Sequence, residues 1–204
     1  MSKWEITIQT APTSALTKST DVIDHQHNNM TFPPPSLTSL AAEIASILKA
    51  RKETIAIVET ACGGLISSTL LSVPGASAYY KGGVTLYTLE SRIAFGGWTE
   101  DDLKTYDGPT PTICERLASH LRLTLPTPPT YILAESGTAG PTPSGVSSLA
   151  PKKNRQPGYC AMAIVGPGGQ VLRSVDFETG GVERSGNMVG FAEGCLRELR
   201  AVLE

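Results

Sequence analysis

The stretch 54–64, TIAIVETACGG, constrains the fold of this chain more than any other. Isoleucine and valine dominate the run 55–58, which favours extended backbone and is too short for a helix. A polar turn follows at 59–64, and its two glycines let the backbone approach a ligand and open a helix over Leu65–Leu71. We therefore expect a strand–turn–helix unit, the arrangement at which open α/β sheets place their binding sites.

The bulk properties exclude several classes of function. The chain has 204 residues, enough for one domain with a substantial core. Its formal net charge of -2 gives no electrostatic reason to expect a nucleic acid partner. No apolar run approaches the ~20 residues of a membrane span, and the N-terminus lacks the short apolar core that is typical of a secretory signal. We expect a cytoplasmic protein with no membrane partner.

The cysteines and histidines favour neither a metal site nor a conventional catalytic triad. Four cysteines, at 62, 114, 160 and 195, lie far apart without metal-type spacing and are expected to be reduced thiols. A triad needs an ordered histidine beside its nucleophile. His25 and His27 fall in a polar leader, and His120 falls in a predicted helix not obviously near the turn. We therefore expect no metal and no other cofactor.

The chain divides into a flexible leader, residues 1–35, and a folded domain, residues 36–204. The leader is rich in Thr, Ser, Asn and Asp and ends in Phe32-Pro-Pro-Pro35. Ser36 is a suitable N-cap for an amphipathic helix that ends near Arg51. A long loop rich in Gly, Pro and Ser is predicted over Ser136–Pro157.

Predicted helices and strands alternate through most of the domain. Strands are predicted at 54–58, 79–87, 130–134, 159–165 and 171–177, and the last two form a hairpin. The fold class is therefore α/β. We expect a single three-layer α/β/α domain with a mainly parallel mixed sheet and an antiparallel edge.

Three glycine-containing turns, at 59–64, 75–83 and 136–141, are candidate ligand contacts. The first and third follow strands, so in a parallel sheet they lie at the same edge and can face one pocket. Their small and hydroxyl residues suit a phosphate or carboxylate held by backbone N–H groups. The alternative is that they are tight turns that need glycine for conformational reasons alone.

Thr60 and Cys62 are the candidate nucleophiles on the first turn. A thiol is intrinsically the stronger nucleophile, and a helix N-terminus lowers its pKa, although a lone cysteine is often a small core residue. Tyr87, Lys81 and Arg92 are candidate partners. The tyrosine can relay a proton or be a core aromatic, and Arg92 can bind an anion or lie in solvent.

The motifs together resemble the CinA C-terminal domain family, which includes nicotinamide-nucleotide amidohydrolases, over residues 36–203. The family's Ala-Glu-Ser-Cys-Thr-Gly-Gly stands here as Val58-Glu-Thr-Ala-Cys-Gly-Gly64. Its Pro-Gly-Ser-Ser stands as Pro74-Gly-Ala-Ser77, and its glycine pair as Gly82-Gly83. Its Ser-Gly-Ile-Ala-Gly-Pro stands as Ser136-Gly-Thr-Ala-Gly-Pro141. The family's Thr-Tyr-Ser-Asn-Glu-x-Lys is matched by a segment that contains Tyr87 and Arg92.

The resemblance implies hydrolysis of the carboxamide of nicotinamide mononucleotide to the acid and ammonia. The family's nucleophilic serine and its assisting tyrosine and lysine correspond to Thr60, Tyr87 and Arg92, and Cys62 is the alternative nucleophile. It also implies a small-molecule substrate such as a phosphorylated nucleoside, and a homodimer or larger homo-oligomer. The residues expected to bind substrate are Glu59, Gly63, Gly64, Ser77, Gly83, Ser136, Gly137, Thr138, Gly140 and Arg184.

Two functions from different classes stay open. In the first, Thr60 or Cys62 attacks the amide carbon and turn N–H groups stabilise the oxyanion. In the second, the chain is a diverged member without deamidase activity that binds a small ligand or catalyses another reaction in the same pocket. The replacement of serine by Thr60 and of lysine by Arg92 motivates the second, because arginine does not accept a proton at neutral pH.

Overall fold

A five-stranded mixed sheet forms the centre of the domain in the computed structural model, which describes residues 32–145 and 152–204. The strands are β1 (Ile55–Glu59), β2 (Tyr80–Thr85), β3 (Tyr131–Thr138), β4 (Tyr159–Val165) and β5 (Val171–Glu178). The longer helices are α1 (Pro35–Arg51), α2 (Leu65–Leu71), α3 (Leu89–Phe95), α4 (Glu100–Thr105), α5 (Pro111–Thr124) and α6 (Arg184–Leu203). Single 3-10 turns occur at Ala76–Ala78, Lys153–Arg155 and Pro167–Gly169.

The strand order is β2-β1-β3-β4-β5. Strand β1 pairs in parallel with both β2 and β3, whereas the β3–β4 and β4–β5 pairs are antiparallel. Only β4 therefore runs against the other four strands. This mixed sheet confirms the predicted fold class, and its parallel half brings the ends of β1 and β3 to one edge.

Helices cover both faces of the sheet, which gives the predicted three layers. Alternate residues of β1 point to opposite faces: Ile55 and Ile57 join one hydrophobic cluster, and Ala56 and Val58 join the other. The first cluster contains side chains of α1, α2 and α6, and the second contains those of α5. A strand buried on both faces must be apolar throughout, as the run 55–58 is.

Several element boundaries differ from the sequence predictions. Helix α1 begins at Pro35 with Pro34 as its N-cap, two residues earlier than predicted, so the prediction of a Ser36 cap is wrong. Strand β3 continues through Thr138, which shortens the predicted 136–157 loop from its N-terminal side. Strand β2 ends at Thr85, so Tyr87 lies beyond it.

Parts of the chain named in the predictions lie outside the described residues. They are residues 1–31 of the leader and residues 146–151 of the long loop. The division between leader and domain at residue 36 therefore stays a prediction. In the described portion, no helix combines the length and apolarity needed to cross a membrane.

Candidate functional site

A cleft of about 410 Å³ opens where β1 and β3 end. Because these two strands are parallel neighbours, the segments that follow them meet at the same edge of the sheet. The volume lies within the usual range for a small-molecule site. The predicted site residues that line the cleft are Thr60, Tyr87, Arg92, Gly137, Thr138, Gly140 and Arg184.

A short chain of hydrogen bonds connects Thr60 to Arg92 at the base of the cleft. The Thr60 hydroxyl donates to Ser136 Oγ at 3.2 Å, and Arg92 Nη2 donates to the same oxygen at 3.1 Å. Ser136 is buried and does not itself line the cleft. It therefore orients the two side chains that the family resemblance marks as nucleophile and assisting base.

Arg92 is a buried cation held by aromatic rings. Its side chain is only 4% exposed, and its Cζ lies 5.0 Å from the Trp98 ring centroid and 5.2 Å from that of Tyr106. Such contacts stabilise a desolvated guanidinium by about 2 kcal/mol. Nε and Nη1 are buried without a hydrogen-bond partner among the described residues. In the described part of the chain, no carboxylate forms an ion pair with this positive charge beside the cleft.

Arg184 and Tyr87 form the outer wall of the cleft. Arg184 Nη1 donates to the Gly140 carbonyl at 3.0 Å, and Nη2 donates to the Tyr87 hydroxyl at 3.4 Å. Both side chains are exposed, Tyr87 by 66%. Deeper in the wall, the Thr138 hydroxyl is bonded to Ser144 Oγ at 3.0 Å. This region offers a cation and hydroxyl groups to a polar part of a ligand.

Glu135 supports the nucleophile turn from behind. Its Oε1 accepts the N–H groups of Thr60 at 2.7 Å and of Cys62 at 2.8 Å, and its Oε2 is buried without a described partner. Burial raises the pKa of this carboxyl to about 7, the nearby Glu59 charge adds to the rise, and the two N–H groups oppose it. These two N–H groups are therefore not available to a substrate oxyanion.

Glu59 organises the start of α2 instead of lining the cleft. Its Oε2 accepts the N–H groups of Gly64 and Ile66, and its Oε1 accepts the N–H and hydroxyl of Ser67. All four donors belong to the first residues of α2 and the glycine before it, and the carboxylate is fully buried. The prediction that Glu59 contacts substrate is thus corrected: the carboxylate caps a helix N-terminus.

Cys62, Gly63 and Gly64 turn away from this cleft. They line a shallower, mostly apolar groove with α6 residues Met188 and Val189. The Cys62 thiol is fully buried, and its pKa is raised well above its usual value by burial and then by the charges of nearby groups, Glu135 first. The expectation that the α2 N-terminus lowers this pKa is wrong, and the structure does not place the thiol as a nucleophile in the cleft.

Ser77 and Gly83 also lie away from the cleft. Ser77 is an exposed residue of the 3-10 turn before β2, and Gly83 lies within β2. A Cβ on Gly83 would lie 2.7 Å from Tyr80 Oη and 2.8 Å from the Ile57 carbonyl. The absence of a side chain at position 83 is therefore a requirement of strand packing, not evidence of a ligand contact.

Three important residues were not among the predicted site residues. Glu135 had a weak signal, since it is an acidic residue next to the apolar run 131–134 and so had to be buried with a partner. Trp98 and Tyr106 had no such signal in the sequence. They lie on either side of helix α4, which was not predicted, so nothing indicated that their rings meet. Among the described residues, no cluster of His, Cys, Asp and Glu could hold a metal ion.

Comparison with known proteins places this geometry in a family. The model of the CinA C-terminal domain matches residues 37–203. A CinA-like protein from Frankia casuarinae is 32% identical over 137 residues, which is 67% of this chain and 29% of that protein. A putative competence-damage inducible protein from Halothermothrix orenii is 36% identical over 104 residues, 51% of this chain and 25% of that protein. The chain thus spans less than a third of these relatives' lengths.

Solved structures share the fold. A competence/damage inducible protein from Agrobacterium tumefaciens superposes with a TM-score of 0.73 at 21% identity, over 86% of this chain and 100% of that chain. A CinA superfamily protein from Klebsiella pneumoniae gives a TM-score of 0.70 at 18% identity, over 82% and 97%. With a family model that matches almost the whole domain, the chain belongs to the CinA C-terminal domain family.

Proposed function

We propose that the cleft hydrolyses the carboxamide of a small molecule of the nicotinamide-nucleotide type to the acid and ammonia. One observation carries this proposal: Thr60 lines the cleft, and its hydroxyl is oriented by donation to Ser136 Oγ at 3.2 Å. Arg92 and Tyr87 line the same space. Family membership supports the reaction class and does not by itself identify the substrate.

In this reaction, Thr60 Oγ1 bonds to the amide carbon, and the C–N bond then breaks with release of ammonia. The hydroxyl proton has to reach the departing nitrogen. Ser136 Oγ is within hydrogen-bond distance to accept it, and a water molecule can deliver a proton to the departing nitrogen. Water then cleaves the Thr60 ester and leaves the carboxylic acid and the free hydroxyl.

The Ala61 N–H is the candidate oxyanion donor. The neighbouring N–H groups of Thr60 and Cys62 both donate to Glu135, whereas that of Ala61 donates to no group among the described residues. Ala61 also lines the cleft. A single donor of this kind contributes roughly 3 kcal/mol to the stabilisation of the transition state.

The outer wall supports a substrate with an anionic end. Arg184 is exposed at the rim, and the hydroxyls of Thr138 and Ser144 lie within the cleft. A phosphate of a nucleoside monophosphate matches the Arg184 guanidinium, whereas the Thr138 hydroxyl donates to the Asn154 carbonyl. The cytoplasmic location and the assembly into a homodimer or larger homo-oligomer remain predictions of the same hypothesis.

A second candidate function is ligand binding without hydrolysis. Arg92 occupies the position of the family's lysine, and an arginine does not accept a proton at neutral pH. Among the described residues, Ser136 is the only side chain within hydrogen-bond distance of the Thr60 hydroxyl. The absence of a conventional base favours this alternative.

Ammonia release from nicotinamide mononucleotide distinguishes the two functions. Under the hydrolase proposal, the wild-type chain releases ammonia, Thr60→Ser retains release, and Thr60→Val, which keeps the shape but removes the hydroxyl, lowers it about a thousandfold or more. Wild-type release no higher than that of Thr60→Val would reject the proposal. Arg92→Lys restores the family's residue, so a gain of release only in this variant would support the binding function for the natural chain.

A further inference from the structure

Arg92 is a buried cation with no anion beside it. No carboxylate lies within 4.0 Å of its guanidinium among the described residues, and Nε and Nη1 lack hydrogen-bond partners. Taking a charge out of water is unfavourable unless an opposite charge offsets the loss of hydration. Arg92 lines the cleft, so an anionic group of a ligand bound there would offset this charge, although Nε and Nη1 themselves are closed to solvent.

The position of Arg92 indicates which part of a ligand would meet it. Ser136 Oγ contacts both Thr60 Oγ1 and Arg92 Nη2, so a planar group set against the Thr60 hydroxyl directs one of its outer atoms towards the guanidinium. Arginine carries only donors. An amide nitrogen at that position would place its N–H donors against the N–H donors of the guanidinium. A carboxylate instead presents an oxygen acceptor on each side.

We propose that this cleft is a carboxylate-recognition site, which binds a small carboxylic acid more tightly than the corresponding amide through Arg92. This inference rests on the proposed function, because it concerns the same cleft. It adds that the acid formed by hydrolysis binds there more tightly than the amide substrate. Phosphate offers the same acceptor chemistry, but the exposed Arg184 is the cation for that group. The carboxylate belongs at the buried end.

Calorimetric titration with matched acid–amide pairs tests this inference, in the Thr60→Val chain and with each further variant made in that background, so that no amide is hydrolysed during the titration. The probes are nicotinate and nicotinamide, which lack phosphate, and their two mononucleotides. We expect the acid to bind at least about tenfold more tightly than the amide in both pairs, and inorganic phosphate not to displace nicotinate. Equal or tighter binding of the amides, no binding of either acid at millimolar concentration, or displacement of nicotinate by phosphate would overturn the inference.

Arg92→Met and Arg116→Met form a matched pair of variants. Both arginines lie over the Trp98 ring, but Arg116 is paired with Asp102 and does not line the cleft. We expect Arg92→Met to reduce the acid-to-amide ratio to about one and Arg116→Met to leave it unchanged. Arg92→Lys, which keeps the charge, serves if the methionine variant does not fold, and it should retain a preference for the acid. An unchanged ratio in Arg92→Met, or loss of the preference in Arg92→Lys, would overturn the inference.

Binding and ammonia release separate this inference from the proposed function. A preference for the acid without ammonia release would reject the hydrolase and leave the carboxylate site intact. Ammonia release with no preference for the acid would support the hydrolase and reject the carboxylate site. The acid and the amide have the same shape, so a general loss of cleft structure would weaken the binding of both. It would not change which of the two binds more tightly.

Discussion

Glu135 holds the backbone of Thr60 from the opposite face of the sheet: its Oε1 accepts the Thr60 N–H at 2.7 Å, whereas the neighbouring Ser136 contacts the Thr60 hydroxyl. Adjacent strand residues point to opposite faces, so one strand fixes both the backbone and the side chain of the candidate nucleophile. This arrangement places a buried carboxyl directly beneath the reactive turn. Its ionisation therefore affects the stability of that turn.

Stability should fall as pH rises through the titration range of Glu135. The pKa of this carboxyl is about 7 in the folded chain, against an ordinary value of 4.5, so the folded state binds the extra proton between these values. The contribution is fully present below pH 4.5 and is lost as pH rises through 7. The loss amounts to roughly 3 kcal/mol, since stability falls by about 1.4 kcal/mol for each pH unit between the two pKa values.

Urea unfolding at several pH values checks this expectation, with Glu135→Gln as the comparison. The glutamine can still accept the two turn N–H groups with its oxygen, and its NH2 group takes the side where Oε2 has no described partner. The difference in unfolding free energy between variant and wild type should grow by roughly 3 kcal/mol from pH 5 to 8. A constant difference would show that Glu135 does not titrate in this range.

The strand–turn–helix unit at 54–64 and the meeting of the 59–64 and 136–141 segments could be predicted from the sequence. Both followed from local patterns: an apolar run buried on both faces and the rule that parallel neighbours end at the same edge. The environment of Arg92 could not be predicted. Trp98 and Tyr106 reach it through the packing of α3, α4 and α5, which no local pattern specifies.

The environment of Cys62 shows a second limit of sequence reasoning. The turn before a helix predicted a lowered pKa for the thiol, but the local pattern did not reveal that the thiol is fully buried with Glu135 and Glu59 nearby. Burial and these charges outweigh the helix terminus. Which side of a turn faces the ligand depends on tertiary packing against β3 and α6, so the sequence could not decide between Thr60 and Cys62.

Cys62→Ala should leave ammonia release within about twofold of wild type, because the thiol does not line the cleft. The same change should destabilise the fold modestly, by about 1 kcal/mol, since it removes a buried sulfur. Initial rates with nicotinamide mononucleotide, measured beside Thr60→Val, decide the point. If Cys62→Ala abolishes release and Thr60→Val does not, the assignment of the nucleophile to Thr60 is wrong.

Arg184→Met should raise KM for nicotinamide mononucleotide by about threefold to tenfold and leave kcat nearly unchanged. Arg184 is exposed at the rim, and its hydrogen bonds go to Gly140 and Tyr87 and not to the Thr60–Ser136 pair, so we expect it to contribute equally to binding of substrate and transition state. Arg197→Met, which removes an exposed arginine of α6 paired with Glu193, is the matched control. A fall in kcat with unchanged KM would contradict this role.

Glu59→Gln should destabilise the fold, in contrast to the same substitution at Glu135. Both oxygens of Glu59 accept hydrogen bonds from donors at the start of α2, from Gly64 and Ile66 on one side and Ser67 on the other. A glutamine NH2 group must therefore face donors whichever way it turns, which leaves buried groups unpaired and costs about 3 kcal/mol or more.

Urea unfolding of the two variants at pH 8 compares two buried glutamates on neighbouring strands. Glu59→Gln should unfold at lower urea concentration than wild type and Glu135→Gln at higher concentration, and equal shifts in the same direction would show that the unpartnered oxygen of Glu135 has no energetic consequence.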